Sequence, residues 1–288
     1  MIDLILSILL STLLFIIFKL FAKYNVNVLQ AIVVNYIVAC ICGLVFYSNP
    51  FTISSITSSS WFYGALLLGF LFIGVFNVMA ITSQKNGLSV ASVAGKMALI
   101  IPILFAVFVY KEHLNIIKTI GIISALIAVY LVSVKNNGVK IKKKTLIYPI
   151  LLFLGSGIID TSLKYFESKY VGENEIPLFS ASIFGIAAII GCILLFIKAL
   201  KKQLIITRKN IFAGVVLGIF NYFSIYFLIK ALRSDLFNSS TVFTINNVAI
   251  VMLSTIVGIL LFKEKINMKN WVGISLAIIS IVLVATKI

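Results

Sequence analysis

Long apolar runs broken by short polar clusters set the rhythm of this chain from end to end. No charged residue occurs from Tyr24 through Gln84, a stretch too long for one crossing of a hydrocarbon core that takes about 20 apolar residues. Two spans must share it. The break between them falls at SNPFTISSITSSS, Ser48 to Ser60, whose Asn-Pro and serines predict a loop, and Trp61 just beyond is expected at the next membrane interface. Read the same way, the chain predicts ten spans, over 2–22, 27–47, 61–83, 88–110, 116–134, 146–166, 177–198, 211–231, 238–262 and 269–286. These runs exceed the roughly 9 to 11 residues of a transmembrane β-strand, so the expected class is an all-α integral membrane protein. The loops leave no room for a soluble catalytic domain, and any function must lie within the helix bundle.

Composition agrees. Of 288 residues, 61% are hydrophobic and 11% charged, against roughly 25% charged in soluble domains, and the mean hydropathy is +1.17. The expected location is the cell membrane, as a multi-pass protein. A net charge of +16 would suggest nucleic acid in a soluble chain, but here the lysines flank apolar spans, where they act as topology signals. No nucleic-acid partner is expected. Leaving Lys96 aside, the odd-numbered loops carry 16 Lys and Arg, and the even loops and tail carry 7. The positive-inside rule then makes the odd loops cytoplasmic and places both termini outside. Met1-Ile2-Asp3 lacks a basic leader, so the first helix is expected to be retained. Cys40, Cys42 and Cys192 lie inside spans with no metal-type spacing to the single histidine, His113, and read as small packing residues.

One segment is written twice. At an offset of 152, residues 111–133 match residues 263–285 at nine positions, among them Lys111 with Lys263, Glu112 with Glu264, Asn115 with Asn267 and Gly121 with Gly273. KLFAKY, Lys19 to Tyr24, is echoed by KYFESKY, Lys164 to Tyr170, at the ends of spans one and six. The repeat therefore covers whole halves, predicting a first five-helix unit over 1–136, a basic linker over 137–145 and a second unit over 146–288. Five is odd, so the second copy enters the membrane reversed: ten transmembrane helices as two inverted five-helix repeats. Secondary transporters use such repeats because two equivalent halves can pack in inward-facing and outward-facing arrangements of similar energy.

These residues resemble the drug/metabolite transporter superfamily, and within it the ten-helix EamA-like members. The family pattern closes the fourth helix of each half with Glu and opens the fifth with Gly nine residues later, as Glu112 with Gly121 and Glu264 with Gly273 do here. Trp271-Val272-Gly273, Pro102 and the lysines ending each first helix, Lys19 and Lys164, fit as well. The chain departs at Lys111 and Lys263, where the family often has Gly, and LLSTLLF lacks the usual Trp-Gly of the first helix. The resemblance implies both termini in the cytoplasm, the opposite of the charge count.

An ionisable residue near the bilayer centre costs about 2.5–3.5 kcal/mol on insertion scales and so asks for a partner or a role. Lys96 and Asp160 are the two such residues. Ser89, Ser92 and Lys96 share one helix face, which is expected to line a cavity. Pro102 cannot donate to the Ala98 carbonyl, predicting a kink and a free acceptor. Ser240, Thr244 and Asn247 form the matching stripe in the second half, with Asn247 opposite Lys96 at an offset of 151. Lys96 reads either as the ligand of an anionic solute group or as a structural lysine, neutralised by Asp160 or snorkelling. Asp160 reads as its ion partner, as an i,i+4 partner of Lys164, or as a proton-coupling acid. Asn77, Asn221 and Tyr222, with Asn35, Asn246, Tyr226 and Phe76, are candidates for substrate contact or for helix-to-helix bonding and packing. Glu112 and Glu264 read as hinge or cap elements beside Pro102, Gly121 and Gly273.

The expected function is secondary-active transport of a small polar metabolite by alternating access, with an amino acid or another carboxylate-bearing solute favoured by Lys96. Export of lipophilic cations or lipid flipping on the same fold is the alternative. An integral membrane enzyme is disfavoured, because 8 acids are scattered along the chain beside one histidine. No Walker motif is present, so ATP is not the direct energy source. The expected partners are the solute, the bilayer and protons if transport is coupled. No cofactor or metal is expected, and the assembly is expected to be a monomer or homodimer.

Overall fold

Every regular element is helical among the described residues of the computed structural model, which cover 1–47, 49–102, 104–105, 116–133, 143–203, 205–232 and 239–285. In chain order the α-helices are α1 (Ile2–Lys23), α2 (Val28–Val45), α3 (Ile53–Thr57), α4 (Phe62–Lys85), α5 (Leu88–Met97), α6 (Ile116–Ser133), α7 (Lys143–Tyr170), α8 (Ile176–Leu200), α9 (Arg208–Leu232), α10 (Ser239–Phe262) and α11 (Met268–Ala285), with a 3-10 turn at Glu173–Glu175 before α8. Seven of them, α1, α2, α4, α7, α8, α9 and α10, hold apolar stretches of 18 residues or more, long enough to cross a membrane. Shorter apolar stretches occupy Leu88–Pro102, Thr119–Val132 and Met268–Leu283.

Local chemistry decides where these helices begin and end. Asn27 caps α2 by accepting the Gln30 N–H at 3.2 Å, and Asn267 and Asn270 cap α11 reciprocally, each side chain accepting the other's backbone N–H. Thr52 and Ser55 form a capping box that turns part of the expected Ser48–Ser60 loop into α3. Trp61, expected at an interface after the polar loop, turns its side chain inward. It is fully buried just before α4, edge-on to Phe179 of α8 at 5.5 Å. The expected span over 88–110 is broken after Met97. Ala98 and Leu99 turn, and the Ala98 carbonyl accepts the Ile101 N–H at 2.9 Å. An i→i+3 bond thus takes up the acceptor that Pro102 was expected to leave free.

The chain divides into two compact units, each drawing on both sequence halves: residues 1–20, 78–158 and 223–288 form the first, and residues 21–77 and 159–222 the second. In the first unit, Val93, Met97, Ala125, Ala128, Val132, Val251, Ile274, Ala277 and Ile281 build the core. α6 and α11 run antiparallel within it. The Asn270 amide donates to the Leu131 and Val132 carbonyls at 3.1 and 3.0 Å, and the Ser280 hydroxyl donates to the Gly121 carbonyl at 2.7 Å. Gly273 allows this approach, since a Cβ there would lie 2.7 Å from Val132 Cγ2 and 2.9 Å from its amide nitrogen.

In the second unit α2 packs against α8 and α9 through small residues. Gly43 meets Ala181, Gly185 meets Cys40, and Gly214 and Gly218, one GxxxG pair, lie against Ala31, Val34, Asn35 and Val38. Small residues at helical spacing let backbones approach closely where lipid offers no hydrophobic drive. Tyr36 is fully buried, donates to the Phe72 carbonyl at 2.8 Å and packs between the rings of Phe76 and Phe184.

Candidate functional site

The helix α5 begins without a cap of its own. Gly87 precedes it at φ +119°, a conformation open to glycine and strained for other residues, and has no side chain to receive the first N–H groups. Glu264 receives them instead, from 177 positions along the chain. Its carboxylate accepts the Leu88 N–H at 2.7 Å, the Ser89 N–H at 3.5 Å and the Ser89 hydroxyl at 3.3 Å. Lys19 completes the cluster, with Nζ 3.2 Å from Glu264 Oε1. A carboxylate on a helix N-terminus meets both unpaired donors and the positive end of the helix dipole.

The chain is shaped to deliver that carboxylate. α10 ends at Phe262, Lys263 takes the left-handed conformation at φ +50°, and the Glu264 N–H turns back onto the Gly258 carbonyl at 3.0 Å. Gly258 gives the carboxylate its seat, since a Cβ there would stand 2.7 Å from Glu264 Oε2 and displace it. The side chains of Lys19 and Glu264 are 20% and 14% exposed, so the pair is largely shielded from solvent. Hydrogen bonds to charged groups contribute about 1.5–3 kcal/mol, against 0–1 kcal/mol for an exposed ion pair. Lys230 and Asp3, 3.6 Å apart with Lys230 58% exposed, are a pair of the second kind.

A polar seam continues inward between α5 and α10. The Ser92 hydroxyl donates to the Ser89 carbonyl at 3.0 Å, and Ser254 Oγ lies 2.6 Å from Ser92 Oγ, both serines being fully buried. The two helices are antiparallel there, since Ser89 lies at the Gly258 end and Ser92 at Ser254. Asn247 is buried two turns from Ser254 on α10, and its neighbour Asn246 takes part with Ser7 and the Ser224 carbonyl in a second buried cluster. Lys96, half-buried, lines a void of about 10 Å3 with Met97, Leu99, Ile100, Ser280 and Ile281, room for about one water.

The remaining sequence candidates divide between the units. Asn77, Asn221 and Tyr222 belong to the second: Asn77 donates to the Ile73 carbonyl of its own helix at 2.7 Å, Asn221 donates to Asn35 Oδ1 at 3.2 Å, and Tyr222 stacks on Phe46 at 5.7 Å. Asp160 is exposed on α7 in the second unit, and Lys96 lies in the first. Pro102 follows the Ala98–Ile101 turn, and Gly121 and Gly273 serve the α6–α11 contact. Glu112 and His113 lie outside the described residues, as do the side chains of Lys164, Ser240 and Thr244. A groove of about 450 Å3 on α2 and α8 is lined by Ile37, Ala188, Ile189, Cys192, Ile193 and Phe196, and presents no polar side chain beyond one thiol to read a polar solute. At the end of α7, beyond its apolar stretch, the Tyr165 hydroxyl hydrogen-bonds Lys169 at 3.3 Å and raises the lysine's pKa. The sequence reading missed Ser254, Gly258 and the pairing of Lys19 with Glu264. Their one signal was Gly87, which opens a helix it cannot cap.

Comparison with known proteins adds four findings. The profile of the EamA-like transporter family matches residues 144–286. An uncharacterised protein of Haemophilus influenzae is 32% identical over 281 residues, covering 94% of this chain and 93% of that protein. A provisionally named sugar uptake protein of Listeria monocytogenes is 29% identical over 81% of this chain and 78% of its own length. A protein of known crystal structure superposes with a TM-score of 0.56 over 98% of this chain and 94% of that one, and at 16% identity this likeness is one of fold.

Proposed function

The chain belongs to the EamA-like transporter family, and from that premise we propose that it is a secondary-active transporter of a small polar metabolite working by alternating access. It is a multi-pass membrane protein. The family points to solute movement rather than to an enzyme. The observation that carries the finer reading is the antiparallel pairing of α6 with α11, because these helices hold the two copies of the repeated segment. Copies that run in opposite directions are what an inverted repeat requires. We therefore assign 1–136 and 146–288 as the two five-helix repeats, joined by the basic linker 137–145, with Lys96, Ser92 and Asn247 as solute-reading groups of the first compact unit. Lys96 supports a carboxylate-bearing solute; the Listeria relative supports a second reading, in which the solute is a sugar.

Thermal unfolding of the detergent-purified protein separates these readings. A ligand that binds only the folded state stabilises it by about 2.7 kcal/mol at 100 times its Kd. Amino acids, organic acids, sugars and lipophilic cations are to be compared on the native protein and on Lys96→Gln. The expected result is a rise in Tm with a carboxylate for the native protein and none for Lys96→Gln. A sugar that stabilises both proteins equally moves the assignment to the second reading. Stabilisation by lipophilic cations alone overturns the polar-solute proposal in favour of export.

A further inference from the structure

We propose that Glu264 and Lys19 form a latch that holds α5 shut at one end of the first compact unit, and that solute passage requires the Glu264 carboxylate to leave the α5 N-terminus. This rests on the transporter reading and names the element that moves in it. Three observations lead to it. Lys96, the charged residue on α5 assigned to the solute, lines a void of about 10 Å3 with its described neighbours, room for about one water, so enclosing a metabolite there calls for α5 to shift. The N-terminus of α5 is pinned by a partner from a distant link, with Leu88, Ser89 and Lys19 all converging on one carboxylate. Below that point the polar contact between α5 and α10 is Ser92 with Ser254, a bond between two short neutral side chains, amid the apolar packing of Val93 and Met97 with Val251.

The geometry suits a contact that is made and unmade. Neither member of the pair is sealed in: both side chains keep some exposure, so each can be rehydrated when they separate, which a fully buried pair could do only at a large desolvation cost. Gly258 and Gly87 leave room around the carboxylate, where an added Cβ would lie 2.7 and 3.0 Å from its oxygens. Glu264 also follows a left-handed Lys263 in a short link rather than lying within a helix, so its backbone can turn without breaking a helical ladder. Lys19 and Glu264 are positioning residues here; they act on the solute path through α5.

Leu88 supplies the reporter. Its side chain is fully buried while its backbone N–H is the closest donor to Glu264, so Leu88→Cys keeps that hydrogen bond. In a background with Cys40, Cys42 and Cys192 replaced, Leu88→Cys is reacted with a membrane-impermeant maleimide in oriented vesicles. The latch predicts slow labelling, at least about tenfold faster labelling from one membrane face in Glu264→Gln, and an intermediate rate in Lys19→Met, which keeps the hydrogen bonds. It further predicts that a transported solute changes the rate in the parent and leaves it unchanged in Glu264→Gln, a response that a static cap does not give. Should Glu264→Gln fail to fold, Lys19→Met and the solute response still decide. Equal rates in parent and variants, or labelling from both faces, overturn the latch while solute uptake by the parent vesicles leaves the transporter reading standing. If no solute is taken up and the variants still differ from one face, it is the transporter reading that falls.

Discussion

Glu264→Ala is expected to destabilise the protein by about 2–3 kcal/mol, the larger part of it from donors and a charge left without their acceptor. The substitution strips the α5 N-terminus of its only side-chain cap among the described residues, since Gly87 offers none, and it leaves Lys19 facing a partly shielded space. Breaking a fully buried pair costs about 3–5 kcal/mol; exposures of 20% and 14% let water recover part of that. Adding Lys19→Met should then cost little more, because its partner is already gone. The double-mutant cycle, measured by denaturant unfolding in detergent, isolates that coupling. Asp3→Asn provides the contrast. Its partner Lys230 is 58% exposed, and an exposed pair of this kind is worth about 0–1 kcal/mol.

Gly218→Leu should be comparably damaging, by about 3 kcal/mol or through loss of folded protein. A Cβ on Gly218 would meet the Asn35 carbonyl oxygen at 2.7 Å, and one on Gly214 the Ala31 carbonyl at 2.6 Å and Val34 Cβ at 2.5 Å. Backbone atoms cannot rotate aside, so α2 and α9 would have to separate. Separation would also pull Asn221 away from Asn35, its hydrogen-bond partner at 3.2 Å. Gly74→Ala tests whether the cost comes from this contact rather than from glycine as such, because nothing lies within 4 Å of a Cβ there. It is expected to be neutral or stabilising, by up to about 1 kcal/mol from helix propensity alone. The two variants are compared by Tm and by the monodisperse yield after extraction.

The difference between what the residues foretold and what the structure holds follows from range. Apolar run length is a property of neighbouring residues, and it predicted helices at the places where α1, α2, α4 and α6 to α11 are found. Interactions across helices were less legible. Ser92 announced a polar face but not Ser254 as the group it would meet. Glu264 was marked by its place at a helix end, whereas the helix it caps begins 176 residues earlier and could be identified only in three dimensions. Trp61 followed a polar loop, which gave no sign of its burial; the ring it packs against, Phe179, lies 118 residues away. Lys263 stands where the family often has glycine, and its φ of +50° supplies the reason glycine suits that position.

Trp61 and Trp271 are the two tryptophans of the chain, and each compact unit owns one. Trp271, on the first turn of α11 in the first unit, is 47% exposed; Trp61, in the second, has no exposed surface. Their fluorescence should accordingly separate: Trp61 emits from a dry aromatic pocket beyond the reach of a quencher carried on lipid chains, and Trp271 is open to it. Each single-tryptophan variant becomes an optical gauge for its own unit, and the order in which the two signals decay on heating would show whether the units melt together or one after the other.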